Sequence, residues 1–274
     1  MKRSQIDQEQ SETRSCTPRV DVLGVGVSLV NLDSAVLEIC EWIRRGDHHY
    51  VCVTGVHGVM ESQRDPFLRS IHNRSGLTTP DGMPLVWSAR FAGARNVSRV
   101  YGPDLMLRMA AESADLGLQW FLYGGKEGVA PRLAERLADR FPGLQVIGWV
   151  SPPFGELTAE EDDQIVDRIN DAQPDIVWVG LSTPKQEKWM ASHVGRINAA
   201  ALIGVGAAFD IHAGTLRQAP RGVQRCGLEW LFRLMMEPRR LWRRYLRNNP
   251  AFILQLIRRP PTLTWPEPEG QRAS

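Results

Sequence analysis

Between residues 118 and 206 the chain alternates short, mostly apolar runs with amphipathic stretches. Residues 118–123, 144–150, 175–180 and 200–205 are the apolar runs, with the length and composition of strands buried on both faces. Residues 128–140 and 158–172 repeat apolar side chains every three to four positions, and 185–192 opens a further helix. Thr158 ahead of the acidic run 160–163 marks a helix start. This order predicts right-handed βαβ units and a Rossmann-like α/β core, a parallel sheet flanked by helices. Ligands of such sheets lie beyond the carboxyl ends of the strands, which directs attention to the loops at Gly124, Trp149, Leu181 and Gly206.

The N-terminal half is less regular. A strand and turn at 20–30, a helix at 32–45, a strand at 50–54 and a helix at 59–73 come first. Residues 77–79 lead into the turn-rich Pro80-Asp81-Gly82-Met83-Pro84. Helices at 87–92 and 103–116 follow, the second with Pro103 at its first position. Beyond Arg217 the pattern changes. Leu228, Leu231, Leu234 and Met235 share one helical face, and Pro238 breaks and restarts the helix. Arg240, Arg243, Arg244 and Arg247 then fall at i, i+3, i+4 and i+7 as a single basic stripe, with Leu241, Trp242, Tyr245 and Leu246 beside it. The expected organisation is a disordered tail at 1–18, an α/β core at 19–216, a basic amphipathic helical appendage at 217–259 and a Pro-rich disordered tail at 260–274.

Charge sharpens that division. Residues 217–259 hold eleven arginines against Glu229 and Glu237, a local +9 in a chain whose formal net charge is +2. A segment both this basic and this apolar suits an anionic, partly apolar partner: nucleic acid, a membrane surface or a substrate. At 274 residues and 43% hydrophobic, the chain can bury a full core. Its four cysteines lack CxxC or zinc-like spacing, which favours a reduced cytoplasmic compartment. The N-terminus has no apolar signal region, and no run of 18 apolar residues exists to span a bilayer.

The glycine turns do not form a dinucleotide fingerprint. Gly24-Val25-Gly26 and Gly204-Val205-Gly206 have Leu29 and Phe209 where the third glycine belongs, and GxxxxGK[ST] is absent. Gly124-Gly125 at a strand-to-helix turn either lets backbone N–H groups approach a phosphate or only makes a tight turn. Asp81 is a turn-maker or a catalytic base. Ser182, Thr183, Lys185 and Gln186 either meet a nucleotide or cap the helix they open. Asp210, past the Gly206 turn, is placed to accept hydrogen bonds from ribose or base. The six histidines show no metal spacing, and Asp-x-Asp does not occur.

Together these loops resemble the WecG/TagA/CpsF bacterial glycosyltransferases. The matching blocks begin with Thr79-Pro80-Asp81-Gly82-Met83-Pro84, Gly102-Pro103-Asp104-Leu105 and Thr183-Pro184-Lys185-Gln186-Glu187-Lys188-Trp189. They continue with Gly204-Val205-Gly206-Ala207-Ala208-Phe209-Asp210, Arg217-Gln218-Ala219-Pro220, Gly227-Leu228-Glu229-Trp230 and Glu237-Pro238-Arg239-Arg240. The resemblance implies inverting, cofactor-free and metal-independent transfer of a sugar from a UDP-sugar to a polyprenyl-diphosphate-linked sugar in surface polysaccharide synthesis. The sugar would be a hexose or N-acetylhexosamine, with N-acetylmannosamine-type and uronic acid donors both open. Asp81 matches the family's base, which must take the proton of the attacking hydroxyl. Arg233, Arg240 and Arg243 match arginines that offset charge on the departing diphosphate, a task other transferases give to a metal.

Gln186 and Asp210 match nucleotide-pocket positions and Thr54 a pocket threonine; Asp104, Gly124, Gly125, Lys185 and Gly206 complete the expected substrate-binding set. Two departures touch this pocket: Val56, followed by His57, where an Asn is common, and Pro152-Pro153-Phe154-Gly155 in place of a Gly-Tyr-Phe-like turn. Trp242, Arg244, Tyr245 and Arg247 are expected to dock the chain peripherally on the anionic inner face of the cytoplasmic membrane. The rival readings are a nucleic-acid-binding protein, which leaves the sheet-end loops unexplained, and a non-catalytic membrane scaffold, which leaves Asp81 and Gln186 without a task. The preferred partners therefore exclude nucleic acid and leave a homo-oligomer open.

Overall fold

The computed structural model describes residues 17–153, 155 and 157–264. Residues 1–16 of the tail expected at 1–18, residues 265–274 of the tail expected at 260–274, and Phe154 of the divergent turn lie outside the described residues. Chain order begins with β1 (Arg19–Val22) and β2 (Val25–Ser28), an antiparallel hairpin. Its turn residues Leu23 and Gly24 both have positive φ, 58° and 85°, which suits the right-handed twist of the strands. Helix α1 (Leu32–Arg45) is closed by local chemistry at both ends: Asn31 and Ser34 exchange side-chain-to-backbone bonds, and Gly46 is left-handed.

After β3 (His49–Thr54), two helices replace the single one expected at 59–73: α2 (Val56–Ser62) and α3 (Pro66–Arg74). Pro66 has no N–H with which to continue α2, and the Asp65 carboxylate accepts from the N–H groups of Phe67 and Leu68, so the chain restarts there. Next come β4 (Leu77–Pro80), α4 (Met83–Phe91) and α5 (Gly102–Leu116). The alternation then follows the sequence pattern to within one residue at each end: β5 (Gln119–Gly124), α6 (Val129–Arg140), β6 (Gln145–Val150), α7 (Ala159–Ala172), β7 (Ile176–Gly180), α8 (Lys185–His193) and β8 (Ala201–Gly204).

The main sheet has six strands in the order β4-β3-β8-β7-β5-β6, all parallel. The loops after Thr54, Pro80, Gly124, Gly180 and Gly204 therefore open at one edge. On one face α1, α5 and α6 pack over Trp120, Leu122, Trp178 and Ile203. On the other, α3, α7 and α8 pack over Tyr50, Phe121, Val177 and Val179.

The appendage comprises α9 (Ala208–His212) as its approach, then α10 (Arg221–Arg225), α11 (Glu229–Met236) and α12 (Pro238–Arg258). It is not a loose arm. Phe252 of α12 is buried in a third cluster with Val20 and Val22 of the hairpin, Val59 and Met60 of α2, and Leu85 and Val86 of α4. The expected tail at 260–274 is corrected at its start: β9 (Thr262–Thr264) pairs antiparallel with β1, Leu263 opposite Val20. The free edge of β1 leaves backbone groups to satisfy, and a Thr-Leu-Thr segment supplies the β-branched pattern to pair with it.

Candidate active site

Where β3 and β4 end, α2 and α4 rise from the sheet and α11 and α12 close over them. They enclose a cavity of about 890 Å³. Asp81, the residue directly after β4, lies at its base. Its N–H donates to the Thr54 carbonyl at 2.9 Å, which ties it to the end of β3. The carboxylate does not serve its own turn. It accepts from the Gly102 N–H, and its Oδ1 is buried without a hydrogen-bond partner. Burial pushes the carboxyl up to about 6, Arg99 pulls it back, Glu229 raises it further and Arg233 lowers it. An acid poised near neutrality with an unpartnered acceptor atom has the properties a general base requires.

Arg99 organises the surroundings. Its Nε donates to the Asp81 carbonyl, one terminal nitrogen donates to Gln224 Oε1 at 3.0 Å, and the other pairs with Glu229 of α11. The guanidinium lies 3.9 Å from the centre of the Tyr101 ring. Neither Arg99 nor the role of Glu229 emerged from the sequence. The available signal was Glu229 itself, one of two acids among eleven arginines. An acid kept in so basic a segment calls for a cation elsewhere in the fold.

Thr54 lines the cavity, but its hydroxyl points its proton inward. His72 Nδ1 lies 3.0 Å from the Leu68 carbonyl, an acceptor only, so Nδ1 carries the hydrogen and Nε2 accepts from Thr54 Oγ1 at 2.9 Å. Burial holds His72 down to about 4, keeping it neutral for this task.

A second polar group sits at the ends of β7 and β8. Gln186 and Glu187 are buried at the start of α8, and Thr183 Oγ1 donates to Glu187 Oε1 at 2.8 Å. Gln186 Nε2 donates to the same oxygen, while Gln186 Oε1 and Glu187 Oε2 have no partner. Burial raises the Glu187 carboxyl. The helix-capping alternative is not realised, since Pro184 occupies the cap and makes no side-chain bond. Neither Gly204 nor Gly206 has room for a Cβ: at Gly204 it would stand 2.7 Å from Met190 Cε and 3.2 Å from the Gln186 amide, and at Gly206 3.1 Å from the Leu181 carbonyl and 3.4 Å from Gln186 Oε1. Thr183 also lines the large cavity, so the two groups adjoin.

Comparison with known proteins now bears on this site. A profile of the Glycosyl transferase WecG/TagA/CpsF family matches residues 20–264. The chain belongs to that family. Three similar curated proteins are N-acetylglucosaminyldiphosphoundecaprenol N-acetyl-beta-D-mannosaminyltransferases. The Bacillus subtilis protein is 28% identical over 195 residues, 71% of this chain and 73% of its own length. The Bacillus spizizenii protein is 26% identical over 211 residues, 77% and 79% of the two chains, and the Staphylococcus aureus protein is 24% identical over 257, 90% and 95%. This WecG/TagA/CpsF member is a glycosyltransferase, as its motifs implied.

In this glycosyltransferase the expected arginine assignments are rearranged. Arg233, Arg244 and Tyr245 line the cavity, whereas Arg240 and Arg243 do not. Arg240 is exposed and bonded to Glu237 at 2.6 Å, and Arg243 stacks on Trp242. Arg244 and Tyr245, expected at the membrane, are thus cavity residues instead. Helix phase is the reason. Leu241, Asn248 and Phe252 are the buried positions of α12, and at about 100° per residue Arg244 and Tyr245 fall beside them while Arg240, Arg243 and Arg247 turn outward. Trp242 is on the outer side too, with Leu246.

The remaining expected residues lie apart from the cavity. Lys185 and Asp104 are exposed. Asp210 is half-buried on α9, where its Oδ1 accepts from Thr215 Oγ1 at 3.1 Å. The Gly125 N–H donates to the Gly180 carbonyl at 3.0 Å, so it is not free for a phosphate. A Cβ on Gly124 would stand 2.8 Å from the Gly180 backbone, which makes close strand packing the reason for that glycine. Val56, at the divergent position, and His57 beside it both line the cavity. Arg64 donates to Asn248 Oδ1 at 2.8 Å, so Asn248 turns its NH₂ to His57 Nδ1 at 3.2 Å. Burial and the nearby Arg244 hold His57 down to about 4. Among the described residues, no cluster of three or more His, Cys, Asp or Glu is placed to hold a metal ion, and no helix is long and apolar enough to cross a membrane.

Proposed function

We propose that this glycosyltransferase moves an N-acetylmannosamine-type sugar from a UDP-sugar to a sugar carried on polyprenyl diphosphate, with inversion and without a metal, in surface polysaccharide synthesis. One observation carries the reading: Asp81 keeps an unpartnered carboxylate oxygen beside a cavity that Arg233 also lines. At neutral pH a carboxylate titrating near 6 is mostly ionised yet basic enough to take the acceptor hydroxyl's proton as that oxygen attacks the anomeric carbon. The glycosidic oxygen bond forms as the bond to UDP breaks, and Arg233 offsets charge on the leaving diphosphate. A single displacement fits the acids available. The other acid lining the cavity, Glu229, is paired with Arg99 and is no free nucleophile. Gln186 and Glu187, across Thr183 from the cavity, support a nucleotide side to the site.

The named activities of the three relatives support the lipid-linked acceptor and the donor sugar type. Exposed Trp242 and Leu246, with Arg240, Arg243 and Arg247 on the outer side of α12, suit peripheral contact with an anionic membrane from the cytoplasmic side. The test is UDP release from a panel of UDP-sugars offered with N-acetylglucosaminyl-diphosphate-lipid, with and without a chelator. Release with a UDP-N-acetylhexosamine, unchanged by chelation, is expected. No release with any donor, or release abolished by chelation, would overturn the corresponding part.

A further inference from the structure

The cavity is longer than two sugars require. Past Arg244 and Tyr245 it continues along α12 by Ile253, Leu256 and Ile257 to Pro260 and Pro261, with Trp87 and Phe91 of α4 also on its wall. Arg244 and Ile257 are separated by roughly 20 Å at the rise of an α-helix. Phe91, Ile253 and Ile257 stay 78%, 60% and 72% exposed although they face a common trough. Scattered apolar residues need no explanation, but several converging on one cavity mark a binding surface.

The polar end has its own peculiarity. Arg233 and Arg244 are only part-exposed, and neither has an ion-pair or hydrogen-bond partner among the described residues. Asp81 and Arg233 both influence Tyr245, which places the acid, the arginines and that tyrosine at the same end. From that end outward, the cavity presents a carboxylate, two arginines in no direct ion pair, and then an apolar trough. A sugar on an isoprenoid diphosphate presents a hydroxyl, an anion and a hydrocarbon in that same order.

Resting on the transfer reaction above, we propose that the trough between α4 and the C-terminal half of α12 holds the first isoprene units of the lipid-linked acceptor, with Arg244 on its diphosphate. Trp242 and Leu246 do not line the cavity, whereas Ile253, Leu256 and Ile257 do. Arg233, nearer Asp81, is left for the leaving diphosphate.

Binding of farnesyl diphosphate and of inorganic diphosphate to the full chain, titrated without vesicles or detergent micelles, tests this independently of turnover. Farnesyl diphosphate should bind at least tenfold more tightly than diphosphate. Replacing Phe91 and Ile257 together by serine, both exposed and removable without opening the core, should abolish most of that difference. Arg244→Ala should weaken both ligands. Equal affinity for the two ligands, or an advantage for farnesyl diphosphate untouched by the double substitution, would overturn the proposal. So would a double variant that loses only sedimentation with anionic vesicles, since the trough would then be a membrane-contact face. Because no sugar is transferred in this assay, failure of the transfer reaction would show separately, as absent UDP release with farnesyl diphosphate binding intact.

Discussion

Arg99 of the core and Glu229 of the appendage form an ion pair with side chains only 15% and 14% exposed, and the same guanidinium holds the backbone carbonyl of Asp81. Appendage docking and placement of Asp81 are thereby one network. Removing one partner leaves the other charge partly buried and unpaired. Glu229→Ala should therefore lower stability by about 2–3 kcal/mol and speed proteolytic cutting between the core and α11. Urea unfolding and limited proteolysis would check it; an unchanged midpoint and cutting rate would show that the pair holds nothing.

The rate of transfer should rise with pH through about 6, as Asp81 ionises. Asp81→Asn should lower turnover by about 10²–10⁴-fold while nucleotide binding persists. Its effect on stability has the opposite sign. The folded carboxyl titrates above its unfolded value, so between about pH 4 and 6 the native state binds the proton more readily, and ionisation above that range opposes folding. Asp81→Asn should then stabilise the chain at pH 8 by on the order of 2 kcal/mol. A variant both inactive and less stable would point to a structural role instead.

His57 and His72 act in the reverse direction. Burial holds both down to about 4, so as pH falls from about 6.5 the unfolded chain takes up protons that the native state refuses. Stability should fall across that window by on the order of 2–3 kcal/mol per histidine, exceeding the gain from Asp81. Urea midpoints at pH 7 and pH 5, compared between the wild type and His72→Asn, would reveal the histidine share.

Thr54→Val removes the hydroxyl hydrogen that His72 Nε2 accepts. The orphaned, buried nitrogen should lower stability by about 1–2 kcal/mol. A large rise in KM with unchanged stability would instead give the hydroxyl to substrate.

The two sets of arginines should separate by assay. Arg233→Ala should slow transfer by about 10²-fold with a short-chain acceptor in the absence of vesicles. Arg240→Ala and Arg243→Ala should leave that reaction near the wild-type rate and weaken binding to anionic vesicles by about fivefold each, the share of one basic residue near such a surface. A slow Arg240→Ala enzyme without lipid present would restore that residue to the site.

Local chemistry by itself determined the parallel α/β core, because strand and helix periods, the Thr158 cap and the Pro238 restart act within a few residues. The turn that carries Asp81 and the buried start of α8 at Gln186 were legible for the same reason, as uninterrupted blocks of residues. The basic stripe of α12 was visible too, but not which of its arginines face inward. Sequence spacing sets angles around a helix axis, whereas burial of Phe252 against α2 and α4, on the face it shares with buried Leu241, sets the direction of zero. Only that packing turned Arg244 and Tyr245 into the cavity and Arg240 and Arg243 out of it. The Arg99–Glu229 pair, the Thr54–His72 bond and the return of β9 to β1 join residues far apart in the chain. No local pattern encodes such contacts; they exist because the folded core brings each partner's desolvated polar group within reach of the other.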